Sequence, residues 1–382
     1  MRIPESTIRA AILHAEEEVR LTAVNYFSGS FSQDEAVMPL VIQAVQRHGR
    51  DQAFRVLRKA EALSQTPATM DWLISELQRD YDLADLDDDN YRFAIALVLC
   101  RAGPDVLPER KGFILALPTF PHQLRGMLNQ RLDMLAWDWD QGWAALEALG
   151  RQAMQKGEFL WTDVHRAGDI IESLARYRTT RAASVLSLLQ RQYEGRNEAL
   201  MEWLQPLLVK LAGAMELAAA VPALVEHLSD NRLSLADEST TALIKIDGDA
   251  VVSAIDQRWW NAGRAFRAAA TDVLEHIHTD LCAELCLTFF HAEEDPETKR
   301  CLAHAVLSQF VEEGIDAVRR LVLGRDEGLP PNSFDLRYRL VAVCTVMDRS
   351  FPEFEHWHED ALANHWGLGD FKPLRLADGF MP

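Results

Sequence analysis

Strand signals are almost missing from this sequence. Alternation of apolar and polar residues with a period of two is scarce, and no Asn-Gly hairpin turn occurs, which argues against a β-sheet fold. Long apolar runs are missing too. No stretch approaches the roughly 18 apolar residues of a membrane-spanning helix, and the opening MRIPESTIRAAILHAEEEVR holds no apolar core of signal-peptide length. The expectation is a protein that stays in the cytoplasm and is not inserted into a membrane. Cysteine is sparse. Cys100, Cys282, Cys286, Cys301 and Cys344 make an odd set inside apolar helical runs, the pattern of reduced buried thiols and not of a disulfide framework. Positive charge is in the minority, with 39 Lys and Arg against 58 Asp and Glu, a net charge of −19. Such a surface repels a polyphosphate backbone, so nucleic acid and anionic membranes are poor partners, although a local basic face is compatible with the total. No serine elbow, phosphate-cradling loop or dinucleotide fingerprint appears.

What is present is apolar residues at three- and four-residue spacing, over a chain of 382 residues that is 48% hydrophobic. This is the periodicity of amphipathic helices, and it predicts an all-α fold. The clearest segment is VPALVEHLSDNRLSLADESTTALIKIDGDAVVSAI, residues 221–255. Pro222 suits a first helical position, and Leu224, Val225 and Leu228 form a stripe that ends at the polar turn Ser229-Asp230-Asn231. A second helix carries Ala242, Leu243 and Ile246 inward. Gly248 is expected to close it in the left-handed conformation, with the next helix starting at Asp249 or Ala250.

Acidic residues followed by an arginine and then small or apolar residues recur. They are EEEVRLTAVNYF around Arg20, DQAFRVLRKAEAL around Arg55, DDDNYRFAIALVL around Arg92, GRAFRAAATDVLEHI around Arg267, DPETKRCLAHAVLSQF around Arg300 and FDLRYRLVAVCTVM around Arg339. Within the N-terminal and C-terminal groups, successive arginines lie 33 to 39 residues apart. Three residues after the arginine stands Ala23, Ala270, Ala303 or Ala342, small enough for close helix packing. This helix, polar turn, helix, Gly-containing turn pattern resembles the HEAT-like, armadillo-type repeat family. The resemblance implies a right-handed α-solenoid of two-helix repeats with a concave surface, cross-linked by an Asp/Arg ladder. It implies no particular activity. Residues 1–118 and 199–347 carry the repeat, 119–198 read as divergent helices or an inserted element, and 348–382 as a terminal cap folded over the last repeat.

Candidate chemistry is thin. His356 and His358 in EHWHED, with His365 beyond, are possible metal ligands, but residues two apart on a helix diverge. Cys282, Cys286 and His278 share a helical face in an apolar helix, where cysteines behave as small hydrophobes. Asp85-Leu86-Asp87-Asp88-Asp89-Asn90 resembles the start of a calcium loop, yet Asn90 and Ala96 stand where the loop needs Gly and Glu, so Asp89 or Asn90 is expected to cap a helix instead. Asp138 with Asp140 and Asp163 with His165 lack a nucleophile beside them. No metal and no cofactor is expected.

Trp137, Trp139, Trp143 and Trp161, and the pair Trp259-Trp260 beside Arg264 and Arg267, are the densest set of interface-forming residue types. Adjacent Trp259 and Trp260 cannot both point into a core, so one is expected at a surface. The leading functional expectation is a scaffold or adaptor gripping a partner protein or peptide, with no enzyme activity; an acidic groove would favour a basic or mixed-charge partner. The alternative is a nucleic-acid-acting enzyme of the HEAT-like DNA glycosylase type, which requires a positive groove around Trp259, Arg264 and Arg267. A lyase or cofactor chaperone rests on fold analogy alone.

Overall fold

The structure is a computed structural model that describes residues 2–50, 54–230, 233–324 and 334–364, without the side chains of residues 161, 162, 233, 234, 334 and 335. The described residues are helical and contain no strand; an isolated bridge pairs Arg2 with Val311. In chain order the first helices are α1 (Glu5–Ala11), α2 (Glu17–Gly29), α3 (Val37–His48), α4 (Phe54–Lys59), α5 (Pro67–Leu77), α6 (Leu86–Arg101) and α7 (Lys111–Ala116). The middle holds α8 (His122–Leu135), α9 (Trp139–Lys156), α10 (Trp161–Ala175), α11 (Arg178–Leu189), α12 (Glu198–Ala214), α13 (Val221–His227), α14 (Leu233–Ile246), α15 (Asp249–Trp259), α16 (Arg264–His276) and α17 (Asp280–Ala292). Last come α18 (Pro296–Ser308), α19 (Glu312–Leu323), α20 (Phe334–Met347) and α21 (Phe354–Ala363). Among the described residues no helix is long and apolar enough to cross a membrane.

The chain divides into two compact units. Among the described residues, one combines those up to 126 with those from 286 onward, and the other holds those from 127 to 285. In the first unit α2 packs on α4 and α4 on α6, while α18 packs on α20. The same row continues across the chain ends, because α20 also packs on α2 and α1. Ile3 donates its backbone N–H to Phe310 O at 3.2 Å, the Tyr26 and Phe310 rings lie 5.6 Å apart edge to face, and His358 Nε2 meets Glu16 Oε2 at 2.9 Å. The apolar side of the first helices is therefore covered by the last ones. Of the C-terminal segment, α21 packs on α20 with Phe351 and Trp357 stacked edge to face at 5.2 Å; residues 365–382, including His365, lie outside the described residues.

In the second unit one row runs α9, α10, α12, α14, α16, each packed on the next, and α13 packs on α15 beside it. Local sequence explains the elements. Asp138 and Gln141 form a capping box at the start of α9, with Gln141 N donating to Asp138 Oδ1 at 2.8 Å. Gly157, at φ 82° and ψ 1°, ends that helix in the left-handed region. α12 is apolar on most faces, burying Leu200, Met201, Leu204, Leu207, Leu208, Val209 and Leu211, as suits a helix with neighbours all round. Gly213 brings α12 so close to α14 that a Cβ there would lie 2.5 Å from Ala242 Cα.

Ala23, Ala270, Ala303 and Ala342 are all buried where the sequence puts the close contacts. Asp249 starts α15 as expected, but the αL residue after α14 is Asp247 (φ 56°), and Gly248, also at positive φ (φ 86°, ψ 173°), is the N-cap of α15. α6 is capped by Asp85, whose side chain accepts from Asp87 N at 3.0 Å. Asp89 and Asn90 are buried one turn inside that helix, Asp89 paired with Arg92, because the apolar stripe begins earlier than the acidic run suggests.

Arginine–carboxylate pairs tie successive helix pairs together within each unit. Arg55–Glu17, Arg110–Asp71, Arg319–Glu353 and Arg349–Glu312 do so in the first, Arg131–Glu172 and Arg178–Glu216 in the second, each joining residues 34 to 41 positions apart. Of the arginines singled out in the sequence, Arg55 is in this set. Arg20, 1% exposed, instead donates to the carbonyls of His14 and Ala15, and Arg339 bonds His304 and Ser308.

Candidate functional site

Trp139 and Trp143 are one helical turn apart at the start of α9, so their rings share a face. They stack with centroids 5.7 Å apart and planes 13° from parallel. The Arg181 guanidinium of α11 lies over the outer face of this pair, 5.2 Å from the Trp139 ring, and Arg196, in the turn before α12, lies 5.1 Å from the Trp143 ring. Tyr177 meets Trp139 edge to face at 6.1 Å. The result is a four-layer ladder of guanidinium, indole, indole, guanidinium, held by cation–π attraction. With both outer faces covered, it joins α9 to α11 and α12 and is not an open aromatic cage.

One end of the ladder is fixed by Glu147. Trp143 Nε1 donates to Glu147 Oε1 at 2.8 Å, Arg151 pairs with Oε2 at 2.7 Å, and Arg196 approaches Oε1 at 3.5 Å. Beside them opens a cavity of about 630 Å³, floored by Met154, Leu200 and Met201 and rimmed by Arg151, Glu194, Arg196 and Asn197.

The tryptophan pair at the end of α15 is split. Trp259 is 2% exposed and belongs to the core, whereas Trp260 is 56% exposed, its Nε1 donating to Asp256 Oδ1 at 3.2 Å. On either side of Trp260 in the sequence, Arg258 and Asn261 line a groove of about 620 Å³ between α13 and α15. Val225 and Phe266 form its apolar floor, and Arg258 spans it, over the Phe266 ring at 5.4 Å with NH2 donating to Ser229 Oγ at 3.3 Å.

The remaining candidates are placed separately. Trp137 is half-buried ahead of α9, its carbonyl accepting from Ser173 Oγ at 3.4 Å. Trp161 opens α10, but its side chain lies outside the described residues. Arg264 is exposed at the start of α16 and Arg267 is half-buried one turn on. Asp272 and Glu275 lie toward its other end. The Asp272 carboxyl keeps an exposed edge yet is held above its ordinary value, by desolvation first and then by Glu275 and Asp237.

The other clusters have structural partners. Asp138 is a helix cap, and Asp163 is buried in the first turn of α10 while His165 is exposed, so the two do not face each other. Cys282 and Cys286 are fully buried, and Cys282 Sγ donates to Leu274 O at 3.3 Å. His356 is exposed and His358 turns to Glu16. Among the described residues no three His, Cys, Asp or Glu side chains are grouped to hold a metal ion.

The ladder partners Arg181, Arg196 and Glu147, and the groove residues Arg258 and Phe266, were not foreseen. Only Glu147 carried a signal, the four-residue spacing of Trp143, Glu147 and Arg151. No protein family, curated protein or solved structure matches the chain.

Proposed function

We propose that the chain is a scaffold or adaptor, a right-handed HEAT-like solenoid that holds a partner protein or peptide in the groove between α13 and α15, anchored by Trp260. The observation that carries this reading is a tryptophan 56% exposed at the end of α15, a helix that on another face lines a 620 Å³ groove through Ala254, Gln257 and Arg258. A large amphipathic ring left in water is a usual anchor of a protein interface. The repeat reading is supported by the arginine–carboxylate pairs, whose 34- to 41-residue separations match the length of a two-helix unit. The DNA-glycosylase alternative is weaker. Trp259 sits in the core at 2% exposure, out of reach of a base.

Affinity capture from the source cells, with the wild-type chain and Trp260→Ala compared quantitatively, tests this reading. A partner retained by the wild type is expected to fall by about tenfold or more in the variant, the effect of losing one anchor residue. Equal recovery with both chains counts against the groove.

A further inference from the structure

Two tryptophans of this chain share one small arrangement, an indole whose N–H is held by a carboxylate one helical turn away. In α9, Trp143 Nε1 donates to Glu147 Oε1 at 2.8 Å, and at the end of α15, Trp260 Nε1 donates to Asp256 Oδ1 at 3.2 Å. The first arrangement is completed by an arginine. Arg196 lies over the Trp143 ring at 5.1 Å and approaches the same Glu147 Oε1 at 3.5 Å, so one guanidinium meets both the ring and the carboxylate. In the second, Asp256 forms no ion pair among the described residues, and the indole is 56% exposed.

The position on the helix adds to the charge. Trp260 keeps helical backbone angles as the C-cap of α15 (φ −65°, ψ −24°), which puts it on one stripe with Asp256 and Asp249, four and eleven positions earlier. Asp249 is exposed and likewise forms no ion pair among the described residues. The two basic residues nearest in sequence lie off this stripe. Arg258 turns to another face of α15, over Phe266 with NH2 donating to Ser229 Oγ, and Arg264 begins α16. The stripe carries two carboxylates and no cation.

We propose that an arginine side chain from a basic segment of a partner protein completes the second arrangement, its guanidinium stacked on Trp260 and paired with Asp256, as Arg196 is with Trp143 and Glu147. The proposal rests on the reading of Trp260 as a partner's anchor and adds the residue type that the anchor grips. A guanidinium suits the site better than an ammonium, because a planar fork stacks on the ring and still reaches the carboxylate at its edge.

The test is fluorescence anisotropy of a fluorescein-labelled peptide of alternating arginine and glycine, and of the same peptide with citrulline, the uncharged isostere, in place of each arginine, titrated with the purified full chain. The arginine peptide is expected to bind about fivefold or more tighter. Asp256→Asn still accepts the indole N–H but carries no charge, so it lowers affinity for the arginine peptide by about fivefold and leaves thermal unfolding unchanged. Glu109→Gln removes one exposed charge in the other unit and leaves the affinity unaltered, which separates a site from the general attraction of a chain of net charge −19. Affinity indifferent to Asp256→Asn, or lowered equally by Glu109→Gln, overturns the proposal. In cells, a partner lost with Trp260→Ala yet fully retained with Asp256→Asn leaves the anchor standing and overturns the arginine.

Discussion

Trp259 and Trp260 end α15 in opposite environments because successive side chains on a helix diverge by about 100°. One fills the core and the other meets water. The same logic separates exposed His165 from buried Asp163. Burial also sets the pH limits of the fold. The Tyr26, Tyr81 and Tyr193 phenols are each pushed up to about 12, desolvation being the largest cause, and that of Tyr91 is raised further. In the folded state they keep their protons above pH 10, where the unfolded chain has released them. Their contribution is complete below about pH 10 and is lost as pH rises toward 12, at up to about 1.4 kcal/mol per pH unit for each of Tyr26, Tyr81 and Tyr91 and less for the solvent-screened Tyr193. Urea unfolding at stepped alkaline pH is expected to show stability falling across that window. Phenolate absorbance is expected to appear together with unfolding; free ionisation of all the tyrosines near pH 10 in a folded chain contradicts this.

Helices are held together by two devices, small residues at close crossings and arginine–carboxylate pairs between residues 34 to 41 positions apart. Ala23, Ala270, Ala303 and Ala342 were legible because each stands three residues after a recurring arginine, where close packing demands a small residue. The Trp–Arg ladder was not, because Arg181 and Arg196 come from α11 and the following turn, and periodicity within α9 says nothing about which charges arrive from elsewhere. Gly213 gives a quantitative check on the closest crossing. Gly213→Ala gains about 0.5–1 kcal/mol in helix propensity. It also drives a methyl into the Ala242 backbone, which cannot rotate away, at a cost of roughly 1–3 kcal/mol or more. Overpacking wins, so equilibrium denaturation is expected to show net destabilisation of the variant. A gain in stability would mean that α12 and α14 are farther apart.

At the scale of the molecule, the helical class is written in the sequence, while the pairing of helices is not. An apolar stripe specifies that a helix must be covered, not by which helix, so the meeting of α20 with α2 had no signature in either segment. The central claim is that a partner sits at Trp260, and it has a direct measurement. A photo-crosslinking benzoylphenylalanine is placed at position 260 in one chain and, as a control, at Phe113 in another, an aromatic residue similarly exposed at 54% but in the other unit. Illumination in the source cells is expected to yield a discrete partner adduct from position 260 and none from position 113. No adduct at 260, or the same adducts from both positions, contradicts the account.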